Sequence, residues 1–226
     1  MTEPTRRLVV ALHGTRLPEG QAACVALVNA VAARLPGVDV RVGWADLLTP
    51  TLTDTLRAVG ECVVVPGFLT TGYHVSYDVP KAIRDAGGRA VLTPHVGEGI
   101  LGAVAERLAE TGVEADAVVL AAAGSKRPEP AVEVRAAAAK LSALLGVSVT
   151  AGFVTAAEPS VREAVAQARE AGARRVAIAS YFLNPGLLPA RLEQADADAV
   201  ARPIGLHPQL VDAIVQRFLA VQRHVA

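Results

Sequence analysis

Short apolar runs rich in β-branched residues alternate, along the whole chain, with stretches whose apolar positions recur at helical spacing. Leu8–Leu12 reads as a strand. After it, Cys24, Leu27, Val28, Val31 and Leu35 line one face of a helix that opens near Pro18 and closes at Pro36-Gly37. Val38–Val42 is a second strand, and Leu52, Leu56 and Val59 mark a helix ended by Gly60. Cys62–Val65 is apolar at every position, which predicts a strand buried on both faces. A helix over Pro80–Ala86, a strand at Ala90–Leu92 and a helix over Ile100–Glu110 follow. Strands alternating with helices in this order predict βαβ units and a mostly parallel sheet.

The series then runs a second time. Ala117–Ala122, Val147–Ala151 and Arg175–Ala179 are strands; Val132–Leu145, Val161–Ala171 and Leu210–Val221 are helices. Individual residues return with them. Gly43-Trp44 and Pro50 reappear as Gly152-Phe153 and Pro159, and Pro94 as Pro203, all at one common spacing. Gly14-Thr15-Arg16 becomes Gly124-Ser125-Lys126, and Phe68-Leu69 with Gly72 becomes Phe182-Leu183 with Gly186. The chain therefore reads as two copies of one α/β unit, residues 1–113 and 114–226, with a ligand-binding cleft expected between them.

Composition narrows the classes. With 52% hydrophobic residues and a mean hydropathy of +0.37, the chain is not disordered. No apolar run approaches the roughly 18 residues that a spanning helix needs. Lys and Arg number 22 against 22 Asp and Glu, which disfavours nucleic-acid binding through bulk charge. An aromatic content of 4% argues against a base-stacking platform. The polar stretch Met1–Arg7 shows no apolar signal region, and Cys24 and Cys62 are expected in the core rather than in a disulfide framework. The expectation is a cytoplasmic protein with no membrane or nucleic-acid partner.

The two copies differ where chemistry would be needed once. The shaping glycines persist, but His13 becomes Ala123 and His74 becomes Leu188. Both histidines follow predicted strands at their carboxyl ends, where open parallel sheets bind ligands. Two imidazoles over one crevice suit a borderline divalent cation such as Fe2+, Co2+, Ni2+ or Zn2+, and they could equally accept protons near neutral pH. His95, after Pro94, could reach the same rim; Ile204 replaces it in the second copy. His207 and His224 read as surface or capping residues. The spacing matches no zinc-finger or protease pattern, and no nucleophile elbow, P-loop or dinucleotide fingerprint is present. The residues alone support a metal or acid–base site and no more.

His13-Gly14-Thr15-Arg16, and Pro66-Gly67-Phe68-Leu69-Thr70-Thr71-Gly72-Tyr73-His74 followed by Asp78 and Pro80, resemble the motifs of the class II chelatases. This is the sirohydrochlorin ferrochelatase and cobaltochelatase family, whose motifs run His-Gly-Ser-Arg and Pro-x-Phe-Leu-x-x-Gly-x-His-x-x-x-Asp-Ile-Pro. The resemblance extends over the whole chain, in the long duplicated form. It implies two chelatase-like α/β units with an active-site cleft between them. It also implies insertion of a divalent metal into sirohydrochlorin, for sirohaem or cobalamin biosynthesis, without ATP. The metal (Fe2+, Co2+ or Ni2+) is then a substrate, no organic cofactor is needed, and the protein is a monomer or homodimer.

The family's metal-handling histidines carry over onto His13 and His74. Members often have a glutamate near Trp44–Thr49; here Asp46 is the only acid in that stretch. Asp46 and Glu98 are the candidates for a third ligand or proton acceptor. Arg16, Lys126 and Arg127, which follow the first strand of each copy, are expected to meet substrate carboxylates, and Tyr73 to pack against the macrocycle. Phe68 and Phe182 are expected in the core. The alternative reading from another class is a non-catalytic metal or tetrapyrrole carrier.

Overall fold

Strands with no polar position need cover on both faces, and the chain supplies it with helices. The computed structural model describes residues 6–225, apart from the side chains of Glu98, His224 and Val225. Within them, β1 (Arg7–Leu12), β2 (Asp39–Trp44), β3 (Cys62–Pro66) and β4 (Ala90–Leu92) form one parallel sheet in the order β2-β1-β3-β4. β5 (Ala117–Ala122), β6 (Ser148–Phe153), β7 (Val176–Ser180) and β8 (Ala199–Val200) form a second, in the order β6-β5-β7-β8. The helices are α1 (Pro18–Arg34), α2 (Leu52–Val59), α3 (Val79–Asp85), α4 (Leu101–Ala109), α5 (Pro128–Leu145), α6 (Val161–Glu170) and α7 (Pro208–Val225). β3, β5 and β7 are buried at every residue, as central parallel strands must be.

On one face of the first sheet, Val9, Ala11 and Val64 pack under Leu52 and Leu56 of α2 and Val79, Ala82 and Ile83 of α3. Burying each such large aliphatic side chain contributes about 1.5–3 kcal/mol. The second sheet repeats this with Val119, Ala121 and Ile178 under Val161, Ala164 and Val165 of α6. Local signals set the helix ends. Thr51 and Asp54 close a capping box at the start of α2, Ser160 and Glu163 do the same for α6, and Gly60 ends α2 at φ 74°. α5 begins at Pro128, before the first residue of its apolar pattern, because proline is pre-set for the first turn of a helix.

Packing groups residues up to Gly99 with those from Leu206 onward, and Ile100–Gly205 as a second unit. Each repeat thus lends its last helix: α4 packs on β7 and α5, and α7 packs on β3 and α1. An arginine fastens each one. Buried Arg107 of α4 donates from Nε to the Ile204 carbonyl at 2.9 Å, and Arg217 of α7 donates from Nε to the His95 carbonyl at 3.3 Å. Cys24 and Cys62 are both buried in the core and are not joined by a disulfide, as expected. β8 and a 3-10 turn over Pro189–Gln194 were not expected; a two-residue strand is too short to show a period. Among the described residues no helix is long and apolar enough to cross a membrane.

Candidate metal centre

In the first sheet the connections diverge between β1 and β3, and open parallel sheets bind ligands past the carboxyl ends of the strands at such a point. His13 directly follows β1. The Ala45 N–H donates to the Leu12 carbonyl at 2.8 Å and the Asp46 N–H to the His13 carbonyl at 3.2 Å. The strand pairing is thereby prolonged beyond β2, and Asp46 is carried to the side of His13. Gly14 permits this approach. Its φ is +88°, and a Cβ there would stand 2.6 Å from the Asp46 carbonyl oxygen.

His74 arrives from β3. The sequence places it on a loop, but it opens a π-helical turn, His74–Asp78, that runs directly into α3, with the Val79 N–H donating to the His74 carbonyl. The physical reason is Pro80. In a regular helix its ring would strike the Ser76 carbonyl and its nitrogen could donate nothing, and a wider turn relieves both. The turn aligns two i,i+4 pairs. His74 Nδ1 lies 2.7 Å from Asp78 Oδ2, and Tyr73 stacks on Tyr77 with centroids 5.0 Å apart.

His13, Asp46 and His74 each offer a ligand atom, and the three lie within 4.8 Å of one another. The two imidazoles meet edge to face at 4.5 Å and 87°. Their tautomers follow from their neighbours. His13 Nδ1 lies 3.0 Å from the Gly14 carbonyl, which only accepts, so Nδ1 carries the proton. His74 Nδ1 donates to Asp78 in the same way. Each ring thus keeps its Nε2 lone pair for a cation, the arrangement in which an outer hydrogen bond orients a metal-binding histidine. Asp46 Oδ1 accepts the Leu47 N–H at 2.7 Å, which leaves Oδ2 for a ligand. His13 and Asp46 are exposed and His74 is half-buried. Three ligands on an accessible surface leave coordination positions open, as a reactive rather than a purely structural site requires.

The second unit has the same backbone without the ligands. The Thr155 N–H donates to the Ala123 carbonyl at 2.9 Å, matching Asp46 and His13, while Leu188 stands where the first repeat has His74. The three side chains of the candidate centre are therefore absent together. The exchange of Asp46 for Thr155 falls at the common repeat spacing. Asp78 belongs to the same motif, and its i,i+4 relation to His74 becomes visible once the helical turn starts at His74.

The other candidates are dispersed. The Glu98 side chain lies outside the described residues, as does that of His224. Arg16 is exposed beyond His13 and makes no hydrogen bond among the described residues; Lys126 is exposed, and Arg127 pairs with Glu129 of α5 at 3.3 Å. Tyr73 is 55% exposed and edge-on to His74 at 6.4 Å. Phe68 packs on the first unit's core, as expected, and also lies 6.0 Å from the His74 ring at 26°. Phe182 packs in the second core. His207 is not on the surface: it is buried and caps α7, accepting the Gln209 N–H on Nδ1 at 3.2 Å.

A sirohydrochlorin ferrochelatase from Priestia megaterium is 28% identical over 222 residues, covering 88% of this chain and 84% of that protein. A sirohydrochlorin cobaltochelatase from Methanococcoides burtonii (strain DSM 6242) is 26% identical over 92 residues, covering 38% of this chain and 65% of that protein. The solved structure of SirB from Bacillus subtilis with Fe3+ shares the fold, with a TM-score of 0.83 at 23% identity over 97% of this chain and 96% of that one. The model of the family described as CbiX matches residues 7–111 and again residues 117–221, which together span most of the chain. The chain belongs to the CbiX family.

Proposed function

We propose that this protein inserts a divalent metal ion, Fe2+ or Co2+, into sirohydrochlorin without ATP, as the names of its relatives suggest. The observation that carries the reading is the open centre of His13, Asp46 and His74 at the switch point of the first sheet. Insertion is a balanced exchange: the hydrated cation loses water, the macrocycle loses two pyrrole protons, and four ring nitrogens take the metal. Three protein ligands suffice to hold a partly dehydrated ion, yet they yield it to four nitrogens converging on one plane. An imidazole that has let go of the metal has a free Nε2 lone pair and can accept a departing proton. His13 and His74 are assigned both tasks in succession, with Asp46 as the charged ligand. Arg16, and in the second unit Lys126 and Arg127, are proposed partners for substrate carboxylates; Tyr73 offers a flat apolar face to the ring. Two reduced, buried cysteines suit the cytoplasm.

The test is to mix the purified protein anaerobically with sirohydrochlorin and Fe2+, Co2+ or Ni2+ in turn and to follow the macrocycle's absorbance. Insertion faster than the protein-free control over many turnovers is expected. His13→Ala and His74→Ala should each lose on the order of 100-fold or more. Transfer limited to one equivalent per protein would favour a carrier, and no acceleration with any of the metals would refute the proposal.

A further inference from the structure

The loop that joins β3 to His74 is held from outside by a third histidine. His95 follows β4, half-buried, with Nδ1 3.2 Å from the Phe68 carbonyl and Nε2 3.1 Å from Thr71 Oγ1. The carbonyl only accepts, so Nδ1 donates to it and Nε2 accepts the Thr71 hydroxyl. One ring thereby grips the loop at two points. Phe68 lies nearly parallel to the His74 ring, and Thr71 stands just upstream of His74. Behind His95, the Arg217 guanidinium of α7 holds its carbonyl. Gly97 leaves room for the ring, since a Cβ there would stand 3.0 Å from His95 Cε1.

The second repeat shows what the grip is not for. There, the Ile204 N–H donates to the Phe182 carbonyl at 3.0 Å and the Gly205 N–H to the Leu183 carbonyl at 2.7 Å, tying the corresponding turn and loop through the backbone. The turn Arg202-Pro203-Ile204-Gly205 has no histidine, and Pro185 replaces Thr71. Both halves of the side-chain grip are missing from the copy that lacks the three metal-binding side chains. The second repeat forms its loop without this imidazole, which accompanies the ligands.

We propose that His95 is a positioning residue of the metal centre: through Phe68 and Thr71 it fixes the loop that delivers His74, and so sets where His74 Nε2 meets the cation. This rests on the reading of His13, Asp46 and His74 as the metal centre, and the experiment separates the two. The full chain is titrated with Co2+, following the visible d–d absorption and, in parallel, the thermal midpoint.

His95→Ile should bind Co2+ about tenfold more weakly, with an altered band, as expected for loss of an orienting interaction. Thr71→Val should move both readouts the same way by less, and the double variant should be no worse than His95→Ile. His95→Asn and His95→Gln, each able to restore one of the two contacts, should recover part of the affinity. If His74→Ala abolishes binding while His95→Ile keeps the wild-type affinity and band, the positioning role is wrong and the metal centre stands. If His74→Ala leaves binding unchanged, the metal centre itself is wrong and the role of His95 falls with it. Should His95→Ile fail to fold, Thr71→Val decides, and wild-type affinity there overturns the proposal.

Discussion

Replacing Asp46 by asparagine removes one negative charge from the candidate centre while keeping an oxygen to accept the Leu47 N–H. The size of the effect follows from the geometry. Three ligand atoms within 4.8 Å of one another let a cation in their plane lie within about 2.8 Å of all three. At that distance a doubly charged ion and a carboxylate attract by about 3 kcal/mol even with the dielectric constant of bulk water. That limit is the appropriate one, because Asp46 and His13 are exposed. Asp46→Asn should therefore weaken Co2+ or Zn2+ binding about 100-fold at low ionic strength. The gap should narrow as salt is added, since screening acts on the charge and not on the imidazoles. A competition titration against a chromogenic chelator at two ionic strengths, with a thermal melt to confirm the fold, measures both. Binding within threefold of wild type at low salt would refute the placement of this carboxylate at the ion.

Two further outcomes follow from the backbone and the core. Gly14→Ala must place a side-chain-bearing residue at φ +88°, at a cost of about 1–2 kcal/mol, and push against the Asp46 carbonyl. It should lower the urea midpoint and weaken Co2+ binding together, whereas Gly72→Ala, with nothing within 4 Å of the new Cβ, should change neither. Equal behaviour of the two variants would contradict the close-approach argument. Burial pushes the Cys62 thiol up to about 11 from its ordinary 9.0. Between those values the unfolded chain releases the thiol proton and the folded chain retains it, so its contribution is intact below about pH 9 and is lost as pH rises toward 11. Relative to Cys62→Val, the wild-type unfolding free energy should drop by about 2 kcal/mol between pH 8 and pH 10.5. An unchanged difference would show that the thiol is not desolvated.

Much of this architecture is written in local pattern. β3 and β5 are recognisable because their burial on both faces leaves no polar position, and the helices because their apolar residues recur at one period. His13 and His74 stand out because the second repeat serves as an internal control for the first. Asp46 is reached only as the sole acid between Trp44 and Thr49. Asp78 escapes because the apolar pattern of α3 begins at Val79, and the π turn that aligns Asp78 with His74 depends on how the backbone accommodates Pro80. The exchange of α4 and α7 has no signature at residue level. Each helix offers an apolar face that a repeat-by-repeat reading assigns to its own sheet, and only three-dimensional packing decides otherwise. The grip of His95 on Thr71 is likewise a meeting of two loops whose residues carry no common spacing.

The lending of helices bears on the order in which the chain takes shape during synthesis. The unit without the candidate centre is one unbroken stretch, Ile100–Gly205, and every strand and helix it needs leaves the ribosome together. The unit with the candidate centre has β1 to β4 early but lacks its cover over β3 and α1 until α7, Pro208–Val225, has been made. At about 5–20 residues per second, the intervening stretch imposes a wait of roughly 5–20 s. The half that carries the candidate metal centre is therefore finished last, after the other half has had the time to fold.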